Sequence, residues 1–448
     1  MMPLPGQPGL SGRLAAFFIG SKLTPLLILA VLLLGLLAVV ATPREEEPQI
    51  VVPMADVFLP FPGASAKVVE EQLTKPIERA ISELKGVEYV YSMSRPGGAV
   101  LIVRFYVGEQ LEHSLVDLYD RLMANQDLLP PGAGPFLVKP RDINDVPIVT
   151  ITLSSERYTD YQLLQMAEHV LEETKKVPQT AAGFVVGGRR REFRVVIDPT
   201  RLRAYGLTPL QVADVIRAEN VAMPAGKFES QNREFLLETG RFLRTPQDLE
   251  ALVVGVHEGR PIYLRQVADV LDGPGEAKQY VWFGQGAAVA TGTQARAETP
   301  AVTVAIAKQS GADAVRVARE VIQKVTDLKG RILPSDVTVT VTRNYGETAD
   351  EKANELLWHL LIAVVAVVVL LGVALGPRPA MVVSIAIPLT LALTLFVSML
   401  IGYTINRVTL FALIFSIGIL VDDAVVVVEN TYRHLTAQLR PHRDASIL

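Results

Sequence analysis

The chain is 448 residues long, 50% hydrophobic and 20% charged, with a formal net charge of −4 at pH 7. A mean hydropathy of +0.31 is too apolar for an average soluble protein, yet the charged fraction is too large for a purely membrane one, so a membrane base with a large soluble part is expected. The acidic balance excludes a bulk basic surface for nucleic acid, and the absence of cysteine excludes a disulfide framework or thiolate metal site.

In chain order, residues 1–22 carry Arg13 and Lys22 and no acid, and are expected on the cytoplasmic side. Leu23 to Ala41 is apolar or small throughout except Thr24 and Pro25, and Pro25 falls in the first turn, where a missing N–H costs little. The run exceeds a signal-peptide core, so a retained span is expected. Glu45-Glu46-Glu47 follows, and roughly Arg44 to Lys352 then reads as one exported insert.

Within the insert, Ile50–Val57 reads as a strand and Pro62-Gly63 as a turn. Ala66–Leu84 reads as a helix with Val69, Leu73, Ile77, Ala80 and Leu84 on one face. Val87–Ser94 and Ala99–Val107 form a hairpin around Pro96-Gly97-Gly98. A helix over Leu111–Leu129 closes at Pro130-Pro131-Gly132. A strand at Pro147–Leu153 and a helix over Thr159–Lys176 come next. The order strand–helix–strand–strand–helix–strand is that of split βαβ, ferredoxin-like units. Arg189-Arg190-Arg191 is a lone basic run that decorates a hairpin rather than binding phosphate. Between about Arg191 and Gln285 the pattern changes. Phe193–Ile197 is a strand stopped by Asp198-Pro199, and Thr208-Pro209-Leu210-Gln211 is a capping box opening a helix over Val212–Asn220. Phe235–Arg244 and Leu252–Val256 read as strands. The first pattern resumes with a strand at Ala301–Ala307, a helix at Ala312–Leu328 and a strand at Val337–Val341.

Three more apolar runs follow, at Leu356–Leu375, Ala380–Ile401 and Val408–Val428, each about 20 residues and enough to cross about 30 Å of hydrocarbon. Arg378 between the second and third spans, and Arg433, Arg440 and Arg443 after the fourth, belong on the cytoplasmic side; Arg407 is the exception to that bias. The last run contains adjacent aspartates, Asp422 and Asp423, and no other charge. A carboxylate at mid-bilayer costs roughly 2.5–3.5 kcal/mol on insertion scales, so such a pair points to an ion or proton path. Six histidines (113, 169, 257, 359, 434 and 442) show no metal-ligand spacing, and no Gly-rich phosphate loop appears. Ser65, Ser94 and these histidines form no recognisable triad, so no enzyme is expected.

This arrangement resembles the resistance–nodulation–division (RND) transporters, and most closely their AcrB-like hydrophobe/amphiphile efflux branch. The resemblance rests on Phe61-Pro62-Gly63-Ala64-Ser65 with the helix ending at Gly86-Val87, and on Asp198-Pro199 with Gly206-Leu207-Thr208-Pro209 and Ala218-Glu219-Asn220. Leu264-Arg265-Gln266-Val267-Ala268 resembles the strand that ends the docking segment, and Gly418 to Asn430 resembles the family's fourth transmembrane helix. The likeness runs from Gly12 to Leu435.

The resemblance implies a membrane α-helical bundle plus an α+β periplasmic domain, built from ferredoxin-like porter subdomains with an inserted docking subdomain. The implied divisions are a cytoplasmic N-terminus (1–22), transmembrane helix 1 (23–41), a first porter subdomain (44–140), a second porter subdomain (141–190 and 286–352), a docking subdomain (191–285), transmembrane helices 2 to 4 (356–375, 380–401 and 408–428) and a cytoplasmic end (429–448). Family members have twelve spans in two halves, so the chain reads as a first part cut short. The family's lysine partner for Asp422 and Asp423 would lie in the other half. The implied function is a bacterial inner-membrane permease that exports organic or amphiphilic compounds by proton antiport, as in multidrug and acriflavin resistance. Asp422 and Asp423 would be the proton relay, with no cofactor or metal. The implied partners are membrane lipid, two further copies in a homotrimer, a periplasmic adaptor and an outer-membrane channel. Heavy-metal relatives tend to carry one acid at this site, so the adjacent pair favours organic substrates. Multidrug pumps line their deep pocket with phenylalanines, whereas Asp145-Val146-Pro147-Ile148 and Val185-Val186-Gly187 carry none here, and Phe136 precedes a Pro-flanked turn. A heavy-metal or lipid-exporting relative, or a membrane-anchored periplasmic binding or sensor protein, remains the alternative reading.

Overall fold

The computed structural model describes residues 16–48, 50, 52–142, 145–286 and 298–438. Arg13, Arg440 and Arg443, used above for orientation, lie outside them. Among the described residues four long apolar helices are present: span 1 (Leu23–Ala41), span 2 (Tyr345–Leu375), span 3 (Pro377–Ile401) and span 4 (Arg407–Gln438). Span 2 starts at Tyr345 rather than Leu356. Asn344 caps it by accepting from the Glu347 N–H at 3.1 Å, and the polar turns that follow contain good helix formers. At 31 residues it is about 46 Å long, against about 30 Å of hydrocarbon, so its first turns stand clear of the bilayer. Spans 2, 3 and 4 share a core that includes Leu360, Val383, Ile387, Leu410 and Leu413. Span 1 buries only Gly35 and Ala38, and crosses span 3 at Ala392.

The first sheet comprises β1 (Met54–Pro60), β2 (Val87–Arg95), β3 (Gly98–Phe105) and β4 (Leu137–Arg141), all antiparallel in the order β2-β3-β1-β4. Two helical segments cover one face. The first runs Ala66–Val69, then a wide π turn at Glu70–Thr74, then Lys75–Ser82; the second is Leu111–Ala124. Proline inside a helix lacks a donor and crowds the carbonyl four residues back, and the π turn lies just before Pro76. Val57, Leu59, Leu73, Ile77, Leu101 and Phe105 form the core. The sequence reading missed β4: the unit's last strand is Leu137–Arg141, whereas Pro147–Leu153, counted above as closing the first strand–helix pattern, opens the next sheet.

That sheet starts with β5 (Pro147–Ser154), a helix at Asp160–Thr174 and β6 (Thr180–Val186). The chain then leaves it for β7 (Arg191–Ile197), β8 (Val221–Ser230), β9 (Arg233–Arg241), β10 (Val253–His257), β11 (Arg260–Tyr263) and β12 (Ala268–Pro274). It returns with β13 (Trp282–Phe283), β14 (Thr299–Lys308), a helix at Ala314–Leu328 and β15 (Thr338–Asn344). β5 pairs with β14 from Ser154↔Ala301 to Thr150↔Ala305, β6 lies on the far side of β14, and β15 lies on the far side of β5. The order β6-β14-β5-β15 therefore repeats that of the first sheet, with its hairpin opened by an inserted segment. The insertion has its own core of Leu202, Val212, Leu249, Val254, Ile262 and Leu264. The capping box at Thr208 is formed, Gln211 accepting from the Thr208 N–H at 2.8 Å. Leu264–Val267 is a helical turn, not a strand. Gln266 accepts from the Tyr263 N–H at 2.8 Å, curling the chain, and extended structure begins only at Ala268.

Candidate functional site: the acidic face of span 4

Span 4 opens on a reciprocal cap. Asn406 accepts from the Thr409 N–H and Thr409 from the Asn406 N–H, each at 3.0 Å. Leu410, Leu413 and Ile417, then Val421, Val425 and Val428, recur at helical spacing and pack toward the neighbouring spans. The opposite stripe holds Phe411, Phe415, Ile419, Asp422 and Val426, all exposed, Phe415 at 78%. The other three spans thus leave the Asp422 carboxyl uncovered. Among the described residues Asp422 has no hydrogen-bond or ion-pair partner. The Asp423 backbone continues the helix, but its side chain lies outside what is described. Arg407, 15 residues earlier, is about 22 Å along the helix from Asp422. Its guanidinium instead pairs with Glu47, so its exceptional position is locally neutralised.

The second sheet presents a different surface. Val149, Ile151 and Leu153 of β5 face the helices, so Thr150, Thr152 and Ser154 alternate onto the other side. There Thr152 Oγ1 lies 2.8 Å from Thr303 Oγ1 and 3.1 Å from Thr342 Oγ1, and Thr150 Oγ1 lies 3.0 Å from Thr342 Oγ1. A row of hydroxyls therefore runs across three strands. Phe184 and Val186, both exposed, end it at the β6 edge. Phe184 is an aromatic that the sequence reading missed; the Ala181-Ala182-Gly183 stretch hid its strand, although Phe184 and Val186 alternate as strand residues do. Phe136 packs on the core of the first sheet.

Two of the three consecutive arginines anchor the chain on either side of the point where the insertion begins. Arg189 donates through Nε at 2.9 Å and Nη2 at 2.8 Å to Asp160, and Arg191 donates through Nε at 2.8 Å and Nη2 at 2.7 Å to Asp272. Hydrogen bonding from Arg189 holds the Asp160 carboxyl below its ordinary value against the opposing effect of burial.

The sequence matches the AcrB/AcrD/AcrF family over residues 14–447. It is similar to the multidrug resistance protein MdtC of Yersinia enterocolitica, with 27% identity over 424 residues covering 93% of this chain and 40% of that protein. The MdtC proteins of Yersinia pseudotuberculosis and Yersinia pestis are each 28% identical over the same length, with the same coverage. The chain thus spans 40% of the length of these curated relatives.

Proposed function

The chain belongs to the AcrB/AcrD/AcrF family of RND efflux permeases, and from that premise we propose that it forms part of an inner-membrane permease exporting organic, amphiphilic compounds by proton antiport. Asp422 and Asp423 are the proton relay. The observation that carries this reading is the exposed Asp422 carboxyl in an otherwise apolar stripe of span 4. Facing lipid, an ionised carboxylate costs roughly 2.5–3.5 kcal/mol or more, so it must be protonated or meet a polar partner. Alternation between those two states is what an antiporter requires. A proton moving down 100 mV supplies about 2.3 kcal/mol per charge.

In this reading 44–140 is the first porter subdomain, 141–190 with 286–352 the second, and 191–285 the docking subdomain. All are periplasmic, with the ends at 1–22 and 429–448 cytoplasmic. The repeated strand order and the β5–β14 pairing across the insertion support the division.

A homotrimer that meets a periplasmic adaptor and an outer-membrane channel is the working assembly. β8 and β9 pair only with each other among the described strands, and they expose Met223, Phe228, Phe235, Leu236 and Leu237. An isolated two-stranded ribbon is marginal in water, so these side chains need cover, which a neighbouring subunit supplies.

The test is efflux of an acridine dye from energised membrane vesicles carrying the assembled transporter. Efflux should collapse when a protonophore is added. Efflux that continues unaltered would overturn the antiport reading.

A further inference from the structure

Glu45 and Lys308 form an ion pair whose side chains are only 3% and 4% exposed. Lys308 ends β14, in the middle of the second sheet, while Glu45 lies just beyond the end of span 1. The Glu45 carboxylate also accepts from Thr404 Oγ1 at 3.0 Å, on the loop joining spans 3 and 4. Thr404 Oγ1 in turn accepts from Asn406 Nδ2 at 3.0 Å, and Asn406 Oδ1 caps span 4 at the Thr409 N–H. Lys308, Glu45, Thr404 and Asn406 therefore make one unbroken chain of polar contacts. It runs from the sheet to the first turn of the helix that carries Asp422.

The backbone around this chain is equally committed. Ile405 N–H donates to Pro43 O at 2.9 Å, Glu45 N–H donates to Ile405 O at 3.0 Å, and Ala314 N–H donates to Arg44 O at 3.0 Å. On the flanks, Arg44 bonds Asp350 at 2.7 Å at the start of span 2, and Arg407 pairs with Glu47. Two charges removed from water are costly unless their geometry is fixed, and a buried pair resists sliding because moving one partner strands the other.

We propose that Lys308, Glu45 and Thr404 couple the membrane to the second sheet, so that a shift of span 4 displaces β14. These are positioning residues: they touch neither proton path nor substrate. The proposal rests on the transport reading above, and its test separates the two.

The variants are Thr404→Val, Thr404→Ser and Lys308→Met, with Asp422→Asn for comparison, each in the assembled transporter. Measured together are inserted protein, dye efflux per molecule, and the pH dependence of carbodiimide labelling at Asp422 read by mass spectrometry. Thr404→Val keeps the shape and the ion pair but removes the hydroxyl. It should insert normally, label at Asp422 with an unchanged pH profile and lose at least about ten-fold in efflux, with Thr404→Ser restoring most of it. Lys308→Met should behave as Thr404→Val wherever it inserts. Wild-type efflux per molecule in Thr404→Val, or equal loss in Thr404→Ser, would overturn the coupling role. Unchanged efflux in Asp422→Asn would instead overturn the proton-relay reading.

Discussion

Gly35 sits where span 1 crosses span 3, and a side chain there has nowhere to go. A Cβ built on Gly35 would lie 2.3 Å from Ala392 Cβ and 2.6 Å from its Cα. Apolar carbons prefer about 3.5–4.0 Å, so Gly35→Ala requires the helices to part by more than about 1 Å. The obstacle is a short side chain and backbone, which cannot swing aside. Overpacking of this kind costs roughly 1–3 kcal/mol, partly offset by the roughly 1 kcal/mol helix preference of alanine over glycine. Gly35→Leu gains nearly the same helix preference but adds far more bulk at the crossing, so the steric cost dominates. The assay is the midpoint of thermal inactivation in detergent, across Gly35→Ala, Gly35→Val and Gly35→Leu, alone and with Ala392→Gly. Midpoints should fall with side-chain size, and Ala392→Gly should recover at most part of the Gly35→Ala loss, because the Ala392 Cα would still lie 2.6 Å from the new Cβ. A wild-type midpoint for Gly35→Leu would refute the close crossing.

Three further outcomes are expected. Thr208→Ala removes the capping box of the helix at Pro209–Glu219 and should cost about 1 kcal/mol, read as earlier unfolding of the inserted segment by hydrogen exchange. Asp160 has its folded pKa lowered by Arg189, so its stabilisation is complete above the unfolded value of about 4 and disappears as pH falls through the lower folded value. Trp282 lines one cavity together with Asp160 and Arg189, so its fluorescence should hold steady from pH 7 to about 4 and change below that in the wild type, with the acid step absent in Arg189→Ala. Phe228→Ser with Phe235→Ser breaks a stacked pair with ring centroids 5.1 Å apart on the exposed ribbon. The expected result is a smaller native mass in detergent; an unchanged mass would remove the ribbon from the subunit contact.

The membrane helices were legible because each is an apolar run of spanning length, and Asp422 and Asp423 were legible because they interrupt one. The turns of span 2 before Leu356 were not, since Tyr345 to Glu355 reads as polar surface until Asn344 is seen to cap it. β8 was hidden by Pro224 and Gly226, which weaken a strand pattern, and β4 by Pro140. The alternation of β5 and β14 could be read, but their pairing across the insertion depends on contacts between distant residues. The Glu45–Lys308 pair lay beyond sequence reasoning for the same reason: its members are 263 residues apart, and nothing in the Glu45-Glu46-Glu47 run marks the first acid as the buried one.

The most direct test of the account is Asp422→Asn and Asp423→Asn in the assembled transporter, with membrane-inserted protein and efflux rate measured in the same vesicles. Asparagine keeps the size and removes the charge, so insertion should not suffer and stability should be kept or gained. The account predicts wild-type amounts of inserted protein and efflux at background in both variants. Near-normal efflux per molecule in either one, or loss of the protein with activity per folded molecule preserved, would contradict the proton-relay assignment.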